Sequence, residues 1–594
     1  MTEKPISVSD KKIDVKDLPL IAEQIVLEYD RRKDNRKDRE KDWKEIDRQL
    51  AMLPERSHKM GADNKVDANK AWLPEIELPL QSQTLEMLTA DCRRLLFPRG
   101  KEFFLARAAL TDEFVTKFKA AETPISREKG PFEGEVSQDD GDRVAQAVLA
   151  HYHSQYDLRG NVDMINGEAL TYGFGVGRLR KVRKRVLGHT MKGSPKNLII
   201  PMLIPRSAKH VYLDDSTHAV MNEGQEIGPN TIEWYSKKFA DVKAAAQSDS
   251  TYIKSQLDRI TPDDKGNITL IELEGDLVYE TSQETIVVRD VNLTAAVGDR
   301  SKNTTFGLIR NQSGEGSTYL VFDYHKENSS DNIGTSPLIK GRPINRIMAL
   351  IMNELIASGQ LKTLPPISYS KDDPGFAGTG GPVIHPGVQW EGTDEIQVHA
   401  DVGGDPNTFF AVFQGLTQLY DDVTGVNSPR LGAATKSHTT AFAKDAELSQ
   451  GAVRTVDYVD SILDGPITRF LEMEYQIALK SWKKQIVYID AWNEFAEFER
   501  AHLPDIVKFK ALGDRAPSDD QVATQRKLSS IQLALQIDAA AIQLGGEPKL
   551  DHGKIIEQVL RDGGIQDISE ITTEEGPSEP AEGQLPGVLT GNFQ

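Results

Sequence analysis

The sequence predicts an α+β protein. Strand signals concentrate in one block, residues 166–325, where short runs alternate apolar and polar side chains, as in ITLIELEGDLVYE and TYLVFDYH. Helical periodicity governs both flanks, at 18–97 and from Ser336 onward. Segregated strands and helices mark this class, rather than a regular alternation of the two.

Residues 18–51 read as one long helix, with Ala22, Ile25, Val26 and Tyr29 on one face and Trp43, Ile46 and Leu50 resuming the pattern. Between them RRKDNRKDREK (31–41) offers nothing to bury, so a solvated or subunit-facing span is expected there. A second helix covers 76–97 and stops at Pro98–Arg99–Gly100, a breaker cluster. Residues 121–142 read as loop and 143–158 as helix. From 166 to 228 the chain reads as strands and hairpins, and 231–247 as a helix capped by Asn230 or Thr231 and carrying Ile232, Tyr235, Phe239 and Val242. Strands return at 268–297 and 305–325. Ile344, Ile347, Met348, Ile351 and Leu355 then form one helical stripe that ends at Leu364–Pro365–Pro366. A Gly/Pro-rich insert with short strands fills 367–404. Phe409, Phe413, Leu416, Tyr420 and Val423 mark the next helix, closed by Thr424–Gly425. The polar loop VNSPRLGAATKSHT (426–439) precedes the longest helical reading, 440–483, interrupted at Gly465–Pro466. Further helices are expected at 486–501, 519–544 and 551–562.

Of 594 residues, 71 are Lys or Arg and 90 are Asp or Glu, a net charge of −19. Gripping phosphates needs concentrated cations, so a coat for nucleic acid is disfavoured, although a passage for it is not. The last 29 residues hold six acidic side chains and no basic one, which predicts a disordered tail. The single cysteine, Cys92, excludes an internal disulfide framework and, sitting among Leu85, Leu88, Leu95 and Leu96, reads as a buried thiol. No apolar run follows the N-terminal charges, and no stretch approaches the ~18 apolar residues of a membrane span. A soluble chain in a reducing compartment, without membrane contact, is expected.

Chemistry-bearing motifs are scarce. GxxxxGK[ST], HExxH and GxSxG are missing, which disfavours an ATPase, a zinc protease or a serine hydrolase. Gly173, Gly175 and Gly177 form a GxGxG echo inside strand-like sequence, where a bulged hairpin is the better reading. Six Asp–Asp pairs (139–140, 214–215, 263–264, 372–373, 421–422, 519–520) sit mostly at loops and helix ends, with no third ligand at metal-binding spacing. Arg178, Arg180, Lys181, Arg183, Lys184 and Arg185 alternate partly with Leu179, Val182 and Val186. They read as a solvated strand face, or as a positive patch meeting an acidic neighbour or DNA. No metal, cofactor or catalytic residue is assigned, and the chain is not expected to be an enzyme.

The order of elements, together with particular residues, resembles the portal (head–tail connector) family of tailed bacteriophages, of a podovirus-like kind. Gly334–Thr335–Ser336–Pro337, running into a helix that ends at Leu364–Pro365–Pro366, is similar to that family's G-x-S/T-P…P-P passage. Thr424–Gly425–Val426 followed by Thr440–Ala441–Phe442 is similar to its TG(V/I)…TA(T/F) passage, although Ala443–Lys444 stand where many members have an acidic residue. Glu168–Ala169, Gly173–Phe174–Gly175–Val176 and Val211–Tyr212–Leu213–Asp214 resemble its G-x-G-V and V-x-x-D strands. The likeness spans roughly 20–560 and is densest over 330–480.

The resemblance implies a portal fold: a flexible N-terminus (1–19), a β-rich wing (20–335), a first stem helix (336–366) and a small α/β clip (367–404). A second stem helix (405–424) and a tunnel loop (425–439) follow. The long wing helix and its return (440–515), a helical crown (516–565) and the acidic tail (566–594) complete it. It further implies a ring of twelve copies at one capsid vertex, through which double-stranded DNA is packaged and ejected. The implied partners are the terminase large subunit, the major capsid or scaffold protein and a tail adaptor, with the chain resident in the virion after assembly in host cytoplasm. Arg430, Lys436 and His438 would face DNA. Ile344, Ile347, Met348, Ile351, Leu355, Phe409, Phe413 and Leu416 would pack the stem within and between subunits. The competing classes are another virion structural protein, such as a tail or internal scaffold component, a DNA-processing nuclease, and a cellular adaptor with an acidic tail.

Overall fold

Strand pairing and buried charge organise this chain. The computed structural model describes residues 6–9, 13–53, 72–97, 103–109, 111, 115–116, 138–186, 196–214, 219–221, 225–227, 229–298, 306–313, 317–326, 332–370, 386–392, 397–398, 406–426, 453–483, 485–489 and 494–513. Residues 1–514 form one unit and 515–594 a second, and every described residue belongs to the first.

The N-terminal part runs β1 (Ile6–Ser9), α1 (Leu18–Asn35), α2 (Lys37–Leu50), α3 (Leu80–Leu96), β2 (Phe104–Ala108), α4 (Gln138–His153) and α5 (Leu158–Tyr172). The strand-rich part follows as β3 (Phe174–Val186), β4 (Lys196–Arg206), β5 (Val211–Leu213), β6 (Ala219–Met221), β7 (Gln225–Ile227) and β8 (Asn230–Lys238). After α6 (Phe239–Ser248) and α7 (Lys254–Leu257) come β9 (Asn267–Glu280), β10 (Thr285–Val297), β11 (Phe306–Ser313) and β12 (Tyr319–Asp323). Then α8 (Pro337–Thr363), β13 (Ile367–Ser370), β14 (Gln389–Gly392), β15 (Gln397–Val398) and α9 (Pro406–Thr424) follow. The helix α10 (453–462) passes through a π turn, Leu463–Ile467, into α11 (Thr468–Ser481), and β16 (Gln485–Ile489), β17 (Glu494–Phe498) and β18 (Val507–Ala511) close the series. The protein is thus mixed α and β, as expected of the α+β class.

The largest sheet has the order β1-β10-β9-β8-β5, with β11 on the remaining length of β10. Strand β9 is buried almost without alternation because both of its faces are covered. Leu18, Ile21 and Ile25 of α1 pack with Ile271 and Leu273, while Val242 and Ala246 of α6 pack with Ile268 and Leu270. A second sheet, β12-β3-β4, lies against α5 in the main core, which also takes Cys92, fully buried, and helices α3, α4, α10 and α11.

Several sequence expectations need correction. The first helix is broken by a turn at Arg36, and its charged middle is an anchor, not a solvated span. Arg32 and Arg36 are buried. Arg32 Nη1 donates to the carbonyl oxygens of Tyr212 and Asn230, both at 3.2 Å. Arg36 donates to those of Ala208 (3.1 Å), Val211 (2.6 Å) and Lys209 (2.7 Å), while its guanidinium lies 3.7 Å from the Tyr212 ring centroid. The second helix starts at Leu80, not 76. Residues 138–142 are helical rather than loop, and 166–172 form the end of α5 rather than strand. Residues 230–238 are strand, paired with β9 and β5, and the helix begins at Phe239. The β-branched and aromatic run TIEWY, with two partners to pair, overrides a spacing that also fits a helix. Residues 485–489 and 494–498 are likewise an antiparallel strand pair, not a helix. Within the N-terminal segment expected to be flexible, Ile6–Ser9 pairs parallel with β10.

The GxGxG echo is a helix end followed by a strand. Gly173 caps α5 with φ +95°, and a Cβ there would lie 2.0 Å from the Gly334 carbonyl oxygen. At Gly175 a Cβ would meet the Ile165 carbonyl oxygen at 2.0 Å, so the strand lies directly on the helix. Beyond it the basic run divides. Lys181, Arg183 and Lys184 are exposed, but Arg178 is buried between the two sheets. It donates to Glu233 (3.2 Å) on β8 and to Glu272 (2.5 Å) and Glu274 (3.0 Å) on β9. The acidic neighbour is therefore in the same chain. Burial pushes the Glu272 carboxyl up, but the hydrogen bond and charge of Arg178, helped by Arg180, prevail and hold it down at about 2. At Glu274 burial prevails and the carboxyl is raised.

Candidate functional site

Local sequence sets the limits of helix α8. The Ser336 side chain accepts from Leu338 N–H at 3.0 Å, and Pro337 occupies the first turn, where its missing donor costs nothing. The Ser336 hydroxyl also donates to the Leu170 carbonyl oxygen, fixing the entry of α8 on α5. At the far end Leu364, before Pro365–Pro366, leaves the helix.

Helices α8 and α9 pack antiparallel as a hairpin. Gly341, near the start of α8, faces Tyr420 and Thr424 at the end of α9, and a Cβ on it would lie 2.8 Å from the Tyr420 ring. Ile344, Met348 and Tyr420 are buried together, packed by Phe413, Leu416 and Val423 and by Leu78 and Leu80 before and at the start of α3. The Tyr420 hydroxyl and the Thr84 hydroxyl are 3.0 Å apart.

Four of the eight apolar residues singled out in the sequence, Ile344, Met348, Phe413 and Leu416, thus meet in one cluster. Ile351, Leu355 and Phe409 are half-buried. Ile347 departs from the single-face reading: it is 46% exposed, because it sits on the flank of the stripe that α9 does not cover. Helix α9 exposes Phe410 (53%), Val412 (47%) and Leu419 (48%), the last two sharing a flank at i and i+7. The hairpin is therefore apolar both inside and along its outer flanks.

At its tip, β13 pairs parallel with β14 and antiparallel with β15. Gly387, with φ +72°, donates to the Leu364 carbonyl oxygen at 2.9 Å and turns the chain back toward α8. Leu364 and Val398 are exposed there.

At its base, α9 ends at Gly425 (φ +75°), whose N–H and that of Val426 both donate to the Asp421 carbonyl oxygen, at 2.9 and 3.1 Å. Arg454, on α10, donates to the carbonyl oxygens of Val423 (3.0 Å) and Asp422 (3.3 Å). A cation on these carbonyls favours the negative end of the helix dipole. The end of α9 and Arg454 of α10 thus lie beside one another. Asp421 is pushed up to about 6, by burial and then by the adjacent Asp422. A cleft of about 740 Å³ opens beside this junction, lined by Lys326, Lys340, Asp422, Arg454 and Asp457 among others. Arg430, Lys436 and His438 lie outside the described residues, as do the helices expected at 519–544 and 551–562 and residues 440–452 of the long one.

The pairs that might suggest catalysis have structural settings. His153 Nε2 and Glu474 Oε2 are 2.7 Å apart, but the imidazole stacks on Phe470 and touches Phe104 within the main core. Burial raises the Glu474 carboxyl, which its His153 partner only partly offsets. Among the described residues no group of three or more His, Cys, Asp or Glu is placed to hold a metal ion, and no helix is long and apolar enough to cross a membrane. Sequence reasoning missed Arg454, because its acceptors at 422–423 lie about thirty positions away and nothing local marks the pairing. No protein-family model matches the chain, and no curated protein matches its sequence.

Proposed function

We propose that this chain is the subunit of a phage portal, a ring at one capsid vertex through which double-stranded DNA enters and leaves. The observation that carries this reading is the α8–α9 hairpin. Its inner face is filled by its own residues together with Leu78 and Leu80, yet Ile347, Phe410, Val412 and Leu419 remain exposed on its flanks. Large apolar side chains repeated along the flanks of two antiparallel helices suit a neighbour of the same kind on each side. A head-to-tail contact of that sort closes into a ring when its rotation divides a full turn.

In this proposal 336–366 and 405–424 are the stem, 367–404 the clip that meets the terminase and then a tail adaptor, and 20–335 the wing. Residues 425–439 form the tunnel loop, where Arg430, Lys436 and His438 touch passing DNA without gripping it, since a chain of −19 holds a duplex weakly. The role is structural, not enzymatic. Twelve copies of a 65.9 kDa chain make a particle of about 790 kDa. Mass photometry with negative-stain imaging tests this: annular particles near that mass are expected. A chain that remains monomeric at micromolar concentration, alone and with its capsid and scaffold proteins, refutes the reading.

A further inference from the structure

We propose that His153 of α4 and Glu474 of α11 form a pH-sensitive latch, which holds the two helices together while the pair shares one ionisable proton. Nε2 and Oε2 are 2.7 Å apart, and the two side chains are 10% and 0% exposed. Phe470 stacks on the imidazole, and the rings of Phe103, Phe104 and Tyr156 lie 5.5, 5.8 and 6.4 Å from it between centroids. His153 Nδ1 and Glu474 Oε1 have no hydrogen-bond partner among the described residues. His153 is the group whose charge and hydrogen bond act on the Glu474 carboxyl.

The surrounding groups leave it that role. Burial and Glu474 itself push the phenols of Tyr152 and Tyr156 up, so both stay neutral. Burial pushes the His151 imidazole down, against its bond to Gln485. Asp142 and Arg143 stand about three turns back along α4, and Asp142 is paired with Arg107 of β2. Lys184 of β3, Lys508 and Lys510 of β18, and Arg469, Glu472 and Lys480 of α11 are exposed.

A pair closed off in this way tolerates one charge state. With no ionisable proton it is a carboxylate beside a neutral imidazole, and with two it is an imidazolium beside a neutral carboxyl. Burial disfavours both, whereas one shared proton leaves the pair without net charge. In the opened chain the same groups titrate freely, at about 4.3 and 6.5. They then hold two protons below about 4.3, one between, and none above about 6.5. Stability rises with pH where the open state holds more protons and falls where it holds fewer. The latch is therefore fully closed between about 4.3 and 6.5 and weakens on both sides, opening being favoured about tenfold per pH unit.

Hydrogen exchange of the full chain, read by mass spectrometry and corrected for the intrinsic rate, tests this. Between about pH 6.5 and 8.0, residues 148–153 and 470–478 should lose about thirtyfold in protection relative to 293–297 of β10. Glu474→Gln leaves a neutral pair with no proton to share, so the alkaline loss should vanish. Its loss should appear instead in acid, where the opened histidine takes up a proton, by about thirtyfold between about pH 6.5 and 5.0. A contact that only packs the helices would show no such reversal. Protection of both segments that holds above about pH 6.5 in the native chain overturns the proposal, whether or not the variant folds. An alkaline loss that persists in Glu474→Gln overturns it too, because another group would then be responsible.

Discussion

Replacing Arg178 by Met keeps most of the side-chain volume and removes the charge between the two sheets. Three carboxylates lose a partner, but not equally. Glu233 keeps Arg206 and the Tyr319 hydroxyl (2.7 Å), and Glu274 keeps the Thr318 backbone N–H and hydroxyl. Glu272 keeps only longer contacts, Arg180 at 3.5 Å and the Tyr235 hydroxyl at 3.3 Å. Removing one partner of a buried ion pair costs about 3–5 kcal/mol, and Glu272 accounts for most of it here. In the native chain Glu272 is held at about 2 from a usual 4.5. Its contribution is therefore present above pH 4.5 and is lost as the pH falls toward 2. Glu274, raised by burial, works in the opposite sense. In Arg178→Met the Glu272 carboxyl rises with its neighbour and takes up a proton as the pH is lowered, which relieves the penalty. Urea unfolding followed by tryptophan fluorescence should show a loss of about 3–5 kcal/mol at pH 7 and a visibly smaller loss at pH 5. Equal losses at the two pH values would assign the effect to packing, and a loss under about 1 kcal/mol would deny that this cluster ties the sheets together.

Two further outcomes follow from the hairpin. Gly341→Ala places a methyl 2.8 Å from the Tyr420 ring and 2.9 Å from the Thr424 methyl, so α8 and α9 must separate. A destabilisation of about 1–3 kcal/mol is expected in differential scanning fluorimetry, and no change in melting would mean the helices are not in contact there. Asp421, with its carboxyl pushed up to about 6, lowers stability as the pH rises from its usual 3.8 through 6. Asp421→Asn should therefore stabilise the chain by about 1 kcal/mol at pH 7.5, after allowance for partial solvent screening, and by little at pH 4. A gain that persists undiminished at pH 4 would contradict the charge argument.

What the sequence made legible is what local chemistry decides. Ser336–Pro337 and Leu364–Pro365–Pro366 bound α8, and Thr424–Gly425 ends α9, because caps and breakers act within a turn of where they stand. The apolar spacing of 231–247 and 486–501 predicts helix, but over 230–238, 485–489 and 494–498 it also fits the period of a strand. Only the partners β9 and β5 in one case, and the β16–β17 pairing in the other, decide between them. The charges of 31–41 read as solvated because the carbonyl oxygens that Arg32 and Arg36 serve lie near 210 and 230, far along the chain. In the candidate site the apolar spacing revealed the inner face of the hairpin. It did not separate Ile347 from the buried stripe, since a neighbouring helix, not the period, sets which flank is covered.

The clasp made by Arg32 and Arg36 reads main chain. Besides the carboxylates of Glu28, Glu40 and Asp214, its acceptors are Ala208, Lys209, Val211 and Tyr212, through carbonyl oxygens alone, and Asn230, which adds its side-chain oxygen at 2.6 Å. Tyr212 apart, whose ring carries the Arg36 cation, a lock that grips the backbone is largely indifferent to the side chains of the turn it holds. The outer surface of 207–213 is therefore free to vary in sequence while the seat of α1 and α2 stays the same. The two arginines themselves are not exchangeable, because lysine has neither the forked donors nor the flat cation that rests on Tyr212.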